Sequence, residues 1–331
     1  MSLRWLLMLG LQIALFAGAV AEEKPSPAHA GPARVGVLWP FEAGSAHTRD
    51  FQTDLASALR EVGYAPGENI VLEQRFAARR DQLQDLAADL VNAKCDVIVA
   101  AGTPAALALK RRTARIPVVF VQVGDPIATG LVQNLSRPGG NVTGFSSLGP
   151  ELSLKLVELA KEAVPSLSRL GVLWNSENPS NTGQVEELLR AAPSFKLALY
   201  PVSVRREVDI AKALEVMRKR RVGAVLVLTS SVTPVNAGQI ARLGKAKGLP
   251  AIGNFPALAQ EGGLLAYFPS NADMWAGVAR YVSQIIGGAQ PGTLPVQQPA
   301  RFELLLNMKA ATALGLTISD SLRLRADRVI Q

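Results

Sequence analysis

Several groups of chemistry-bearing residues stand directly after apolar runs: Gly102-Thr103-Pro104, Gly124-Asp125-Pro126, Asn175 with Asn178, Thr229-Ser230-Ser231, and Asn254-Phe255. A Thr-Pro pair is a good helix start, because the hydroxyl can cap a free N–H and proline fits the first helical position. Such a start exposes unpaired backbone N–H groups at the positive end of the helix dipole, which favours a carboxylate or a phosphate. Thr103-Pro104 and Thr233-Pro234 both have this form, and ordinary capping without a ligand is the alternative for each. Asp125 would either offset a ligand ammonium or stabilise its Gly-Pro turn. Trp39, Phe41, Trp174 and Phe255 also fall at the ends of apolar runs, where they would sandwich an aromatic or aliphatic group or else pack as core. Polar and apolar groups together suit a zwitterionic amino acid better than a sugar phosphate.

Other chemistries are poorly supported. The 331 residues hold one cysteine, Cys95, and two histidines, His29 and His47. That leaves no intramolecular disulfide and no multi-cysteine metal site, and little material for a histidine triad or a zinc enzyme. No metal or cofactor is expected. The first apolar run is followed by Pro40-Phe41-Glu42-Ala43-Gly44-Ser45 and not by a G-x-G-x-x-G turn, which disfavours a nicotinamide fold. Walker and G-x-S-x-G motifs are missing as well. Arg137-Pro138-Gly139-Gly140-Asn141 lacks the lysine of a phosphate loop and reads as a tight turn. The single cysteine excludes a two-cysteine racemase and reads as a small core hydrophobe. Chemistry based on Asp125 in a cleft stays open as the enzyme alternative.

The net charge is +8, from 35 basic and 27 acidic residues, but the basic residues are scattered. Lys110-Arg111-Arg112 and Lys219-Arg220-Arg221 close predicted helices, where cations complement the dipole. No nucleic-acid motif accompanies them, and a nucleic-acid partner is not expected.

The elements that must position these residues follow an alternating α/β pattern. Strands are predicted at 34–39, 69–73, 96–100 and 117–121, with helices over 48–62, 82–92 and 104–112 between them. Continuous apolar runs such as Val97-Ile98-Val99-Ala100 fit parallel strands buried on both faces. The pattern then starts again: Arg169-Leu170-Gly171-Val172-Leu173-Trp174 nearly repeats Arg34-Val35-Gly36-Val37-Leu38-Trp39. Ala224-Val225-Leu226-Val227-Leu228 and Leu249-Pro250-Ala251-Ile252 answer the third and fourth strands. The expected architecture is α/β, with two doubly wound parallel-sheet lobes. Ligands bind outside the carboxyl ends of such strands, here in the cleft between the lobes.

The N-terminus carries a basic start, an apolar run from Trp5 to Val20 and a small-x-small site, Ala19-Val20-Ala21. This is the pattern of a secretory signal peptide cleaved after Ala21, with Ala28-His29-Ala30 as a second site. The mature chain is expected to be soluble and periplasmic, opening with an unstructured tether over 22–33.

These residues carry a family resemblance. Val99-Ala100-Ala101-Gly102-Thr103-Pro104-Ala105-Ala106, Ile116-Pro117-Val118-Val119-Phe120 with Val123-Gly124-Asp125-Pro126, and Gly130-Leu131-Val132 are among its marks. Others are Arg137-Pro138-Gly139-Gly140-Asn141-Val142-Thr143-Gly144, Glu151-Leu152 with Lys155, and Leu294-Pro295-Val296-Gln297-Gln298-Pro299. Phe302-Glu303-Leu304, Asn307, Ala313-Leu314-Gly315-Leu316 and Arg325-Ala326-Asp327 complete the set. Together they resemble the ABC transporter substrate-binding proteins of the tryptophan/tyrosine type. The resemblance implies a periplasmic binding protein of type 1-like fold, with two lobes joined by a hinge that close on a small solute. It also implies delivery of that solute to an ABC permease and, through it, to an ATPase subunit, with no catalysis of its own. Some relatives handle aromatic amino acids. Family-like site positions are Gly102-Thr103, Gly124-Asp125 and 229–231, whereas the stretch 39–47 follows no family pattern. The lobes are expected at 34–146 plus 268–293 and 147–267 plus 294–331, in a monomer. An exported sensory module for a membrane kinase or chemoreceptor is the alternative reading.

Overall fold

The computed structural model describes residues 31–331, so the expected signal peptide and most of the expected tether lie outside the described residues. Strands β1 (Ala33–Trp39), β2 (Ile70–Phe76), β3 (Val97–Ala101), β4 (Val118–Val123) and β5 (Val142–Ser146) form one sheet in the order β2-β1-β3-β4-β5, all parallel. Helices α1 (Ala46–Glu61), α2 (Leu83–Asn92) and α3 (Gly102–Arg112) make its crossovers. The central strand β3 is apolar and buried along its whole length because both of its faces are covered, whereas the edge strand β2 carries Glu73, Gln74 and Arg75 and is only partly buried. One core lies under α1, around Phe51, Leu55 and Leu59, and the other under α2 and α3, around Leu90, Ile98 and Leu109. Cys95 packs in the second of these, where burial pushes its thiol up to about 11.

The internal repeat is a repeat of topology. Strands β6 (Arg169–Trp174), β7 (Ala198–Ser203), β8 (Ala224–Val227), β9 (Ala251–Gly253) and β10 (Leu265–Pro269) assemble as β7-β6-β8-β9-β10, the same order as the first sheet. Helices α4 (Gly149–Ala163), α5 (Pro179–Ala191), α6 (Asp209–Lys219), α7 (Ala237–Ala246) and the short α8 (Pro256–Gln260) flank it. The second lobe nonetheless departs from a purely parallel sheet. Two further strands, β11 (Phe302–Asn307) and β12 (Arg328–Ile330), extend it, and β11 runs antiparallel to β10. The reason is the path of the chain. After β10, α9 (Asn271–Ile286) packs on the first lobe against α1, β4 and β5. The chain therefore returns from the cleft side, and Phe302 enters the sheet opposite Pro269, the last residue of β10.

Three segments cross between the lobes: one after β5, one at Ser270, and one beyond Gln297. The last crossing falls later than Leu294, because the first lobe holds 294–297 by specific bonds. Thr143 donates to the Leu294 carbonyl at 2.7 Å, the Gln297 N–H to the Gly144 carbonyl at 2.9 Å, and the Ser146 N–H to the Gln297 carbonyl at 2.9 Å. Among the described residues, no helix is long and apolar enough to cross a membrane.

Candidate ligand-binding cleft

In both sheets the strand order reverses beside the first strand, β1 or β6. Crossovers leave from opposite faces there and open a crevice at the carboxyl ends. The two crevices face each other and line one shared cavity. Its lining comes from both lobes: Phe41, Gly102, Thr103 and Gly124 from the first, Asn178, Thr229, Ser230, Ser231, Asn254 and Phe255 from the second. Ten of the thirteen residues expected at the site therefore meet in one place.

The other three do not line it. Trp39 is fully buried, its indole N–H donating to Gln74 Oε1 at 2.9 Å, and its ring lies tilted against Phe51, 6.5 Å between centroids. Asp125 serves its turn: Oδ1 accepts from the N–H groups of Ile127 at 3.0 Å and Ala128 at 2.8 Å. The carboxylate that would have offset an ammonium is committed to backbone. Asn175 lies one layer away, in a smaller cavity it shares with Asn178 and Ser231, and its Oδ1 accepts from the Glu177 N–H at 2.9 Å. Trp174 packs, half-buried, against the second-lobe core.

The two Thr-Pro pairs behave differently from ordinary caps. Helix α3 begins at Gly102, whose φ of +76° suits glycine, and Ala101 stands at the N-cap. Thr103 instead reaches across the cleft to Ser180, hydroxyl to hydroxyl at 2.7 Å, both buried. Thr233-Pro234 opens no helix, since α7 starts at Ala237 behind Asn236. The Thr233 hydroxyl is drawn to the Leu228 carbonyl at 2.7 Å and so fixes the loop after β8.

Sequence reasoning missed much of the lining. Ser180, Asn181 and Gln184 come from the first turns of α5, where Asn178 Oδ1 caps the Ser180 N–H. They are buried polar side chains at a helix end that borders the cavity. An amide network holds them in place: Asn181 Nδ2 donates to Gln184 Oε1 at 3.1 Å and to the Thr229 carbonyl at 3.0 Å, while Thr229 donates to Asn254 Oδ1 from N at 2.9 Å and from Oγ1 at 2.7 Å. Gln122 lies at an irregularity of β4 with φ +58°, a rare conformation for a residue with a side chain, and donates to Asn271 Oδ1 at 3.2 Å. The apolar wall is completed by His47 and Phe51 of α1, Phe268 and Pro269 at the end of β10, and Met274 of α9.

The electrostatics are simple. Among the described residues, no Asp, Glu, Lys or Arg lines the cavity, and His47 is the one titratable side chain on its wall. Burial lowers His47 to about 4, so it is a neutral imidazole at physiological pH. The starts of three long helices, α3, α5 and α9, converge on the cavity through Thr103, Ser180 and Asn271. Their dipoles favour a negative group, and the side-chain hydroxyls and amides supply neutral hydrogen-bonding groups. The wall thus combines aromatic rings with neutral hydroxyl and amide groups and with helix starts.

The lobes touch across this space. Besides the Thr103–Ser180 pair, the Arg80 guanidinium donates to the Glu177 carbonyl. A Cβ at Gly124 would lie 3.0 Å from Ser180 Cβ, so the residue is small where α5 comes closest.

The chain is 25% identical to a tyrosine-binding protein of Clostridioides difficile over 274 residues, 82% of this chain and 77% of that one. A conserved domain protein of Vibrio cholerae superimposes with a TM-score of 0.85 at 27% identity, covering 90% of this chain and 99% of the other. An ABC domain from Streptococcus pneumoniae, solved in complex with L-tryptophan, superimposes with a TM-score of 0.84 at 27% identity, covering 91% and 100%. Residues 35–330 match the family described as ABC transporter substrate binding protein, and the chain belongs to that family.

Proposed function

We propose that the chain is the periplasmic receptor of an ABC importer, that it binds an aromatic amino acid or a related aromatic carboxylate between its lobes, and that it hands this solute to a permease. The observation that carries the reading is a cavity between the lobes whose wall combines aromatic rings with neutral polar groups at helix starts. The carboxylate faces the α3 and α5 starts at Thr103 and Ser180, and the ring lies among Phe41, Phe51, Phe255 and Phe268. A ligand bridging both lobes stabilises the closed arrangement by its differential affinity for it. The related proteins named for tyrosine and solved with L-tryptophan support this choice of class. Cargo release then follows when the permease separates the lobes of a single bound monomer.

Among the described residues the lining offers neutral hydrogen-bonding groups and the neutral imidazole of His47, which suits a binding role. The test is a thermal-shift screen on protein freed of co-purified ligand by unfolding and refolding. Ligand at a hundred times its Kd should add about 2.7 kcal/mol of stability. A shift with L-tryptophan, L-tyrosine or an aryl carboxylate, and none with glycerol or ribose, is expected. Shifts with sugars alone would refute the assignment.

A further inference from the structure

Six side-chain amides line the cavity, those of Gln122, Asn178, Asn181, Gln184, Asn254 and Asn271, and five of their oxygens are already engaged within the chain. Asn178 Oδ1 accepts from the Ser180 N–H at 3.2 Å, Asn181 Oδ1 from the Asn175 N–H at 3.1 Å, and Gln184 Oε1 from Asn181 Nδ2 at 3.1 Å. Asn254 Oδ1 accepts twice from Thr229, and Asn271 Oδ1 accepts from Gln122 Nε2 at 3.2 Å. Gln122 Oε1 is the exception. It has no hydrogen-bond partner among the described residues, yet it is not shut away: Gln122 is half-buried on the cavity wall, and this oxygen keeps accessible surface. The backbone is bent to present it. The ladder between β4 and β5 is irregular between Val121 and Val123, and Gln122 is held there at φ +58°, a conformation that costs energy and recurs where a side chain clamps a ligand. Its place is also apt. Val121 pairs with Ala101, so Gln122 follows on the strand beside the one that runs into Gly102 and Thr103, and neighbouring strands lie about 4.8 Å apart.

We infer that Gln122, held by Asn271, is a specificity-determining residue whose Oε1 accepts from the α-ammonium of the bound molecule, and so selects an aromatic α-amino acid over the aryl carboxylate of the same shape that lacks the amino group. This deepens the proposed function and rests on it. The ammonium and the carboxylate of an α-amino acid share one carbon, so a carboxylate at the start of α3 brings the ammonium beside β4. Among the described residues no carboxylate lines the cavity, and Asp125 is committed to its turn, so neutral oxygens must meet that charge. The hydroxyls of Ser147 and Ser231 on the wall donate as readily as they accept, whereas an amide oxygen only accepts. Asn271 fixes which end of the amide is offered, because its Oδ1 engages Gln122 Nε2 and leaves Oε1 free. A ligand without the amino group fills the aromatic space, reaches the same helix start and leaves Oε1 unpaired. Sites built to hydrogen-bond a polar group reject the analogue lacking it, because their own polar atom is then stranded.

The test is calorimetric titration of the refolded protein with two pairs of ligands, L-tryptophan against indole-3-propionate and L-tyrosine against 3-(4-hydroxyphenyl)propionate. A hydrogen bond from a charged donor predicts that the wild type binds at least one amino acid about 10- to 100-fold more tightly than its partner without the amino group. In Gln122→Met, which keeps the length of the side chain without its oxygen, that ratio should collapse to within about 3-fold. Gln122→Gly removes the same amide where φ is positive, a conformation glycine takes freely, so it folds even where the methionine variant fails and should show the same collapse. Gln122→Glu keeps an acceptor at the site and should hold the ratio at or above the wild-type value. A merely structural role would weaken both members of a pair alike and leave the ratio undiminished in Gln122→Met and Gln122→Gly, which overturns the inference. A wild type without preference for the amino acid, or a ratio in Gln122→Glu as low as in Gln122→Met, overturns it too, and each of these leaves the aromatic ligand class intact. Failure of all four compounds to bind the wild type overturns both.

Discussion

Gly124→Ala separates lobe closure from folding more cleanly than any other single change. The three atoms nearest to a Cβ at Gly124 are Ser180 Cβ at 3.0 Å, Ser180 Oγ at 3.2 Å and Gln184 Nε2 at 3.4 Å, and all belong to α5 of the opposite lobe. Carbon atoms prefer about 3.5–4.0 Å, so the closed lobes must part by several tenths of an ångström to admit the methyl group. The open form has no such neighbour. Overpacking of this kind costs about 1–2 kcal/mol, charged here to the closed state alone, which weakens ligand binding about 5- to 30-fold. The measurement is a titration with whichever aromatic amino acid gives the largest thermal shift, alongside urea unfolding of the ligand-free protein. Weaker binding with unchanged ligand-free stability is expected. Unchanged affinity, or a loss of stability as large as the loss of affinity, would refute the idea that Gly124 is small because α5 closes on it.

Other consequences follow from the same geometry. Thr103→Val or Ser180→Ala removes the 2.7 Å hydroxyl pair between the lobes, and titration should show binding about 5-fold weaker for either. The double variant should lose little more than one single does, and full additivity would deny the coupling. Ligand-free stability should fall with pH on account of His47, lowered from 6.5 to about 4 by burial. The unfolded chain takes up a proton near pH 6.5 that the folded chain refuses until about pH 4. The contribution is complete above the first value and lost by the second, a span worth about 3 kcal/mol. His47→Phe should abolish that component in urea unfolding at pH 7.5 and 4.5, and parallel losses in both proteins would contradict it. Gly144→Ala should destabilise by more than about 3 kcal/mol, since its Cβ would stand 2.1 Å from the Phe120 carbonyl oxygen and 2.6 Å from the Phe120 nitrogen, which are backbone atoms. A melting temperature within a degree of wild type would show that the strands can spread there.

The parts legible in the sequence are those fixed by burial on both faces. Arg169–Trp174 forms a strand with the bounds its apolar run gives, and its kinship with the run that begins at Arg34 appears as matching sheet orders. The strand ends then brought Gly102, Thr103, Thr229 and Asn254 together, because topology alone places them at one crevice. What was illegible depended on a second lobe approaching the first. Thr103 has the sequence of a helix cap, and only the nearness of Ser180 turns its hydroxyl across the cleft. For Asp125 the sequence allowed either an ammonium partner or a turn residue, and the local turn claims the carboxylate. Phe51 reads as one residue of a core-facing helical stripe, and nothing local says that the stripe's first turn, with His47, borders a cavity. The antiparallel β11 was equally hidden, because its direction follows from where the chain returns after α9 and not from the residues of the strand.

The most direct test of the central claim is a crystal structure of the refolded protein grown with L-tryptophan or L-tyrosine. The account predicts the amino acid between the lobes, its carboxylate near Thr103 and Ser180 and its ring against Phe41, Phe51 and His47. An amino acid bound elsewhere, or one oriented with its ring toward Ser180 and its carboxylate among the phenylalanines, would contradict it.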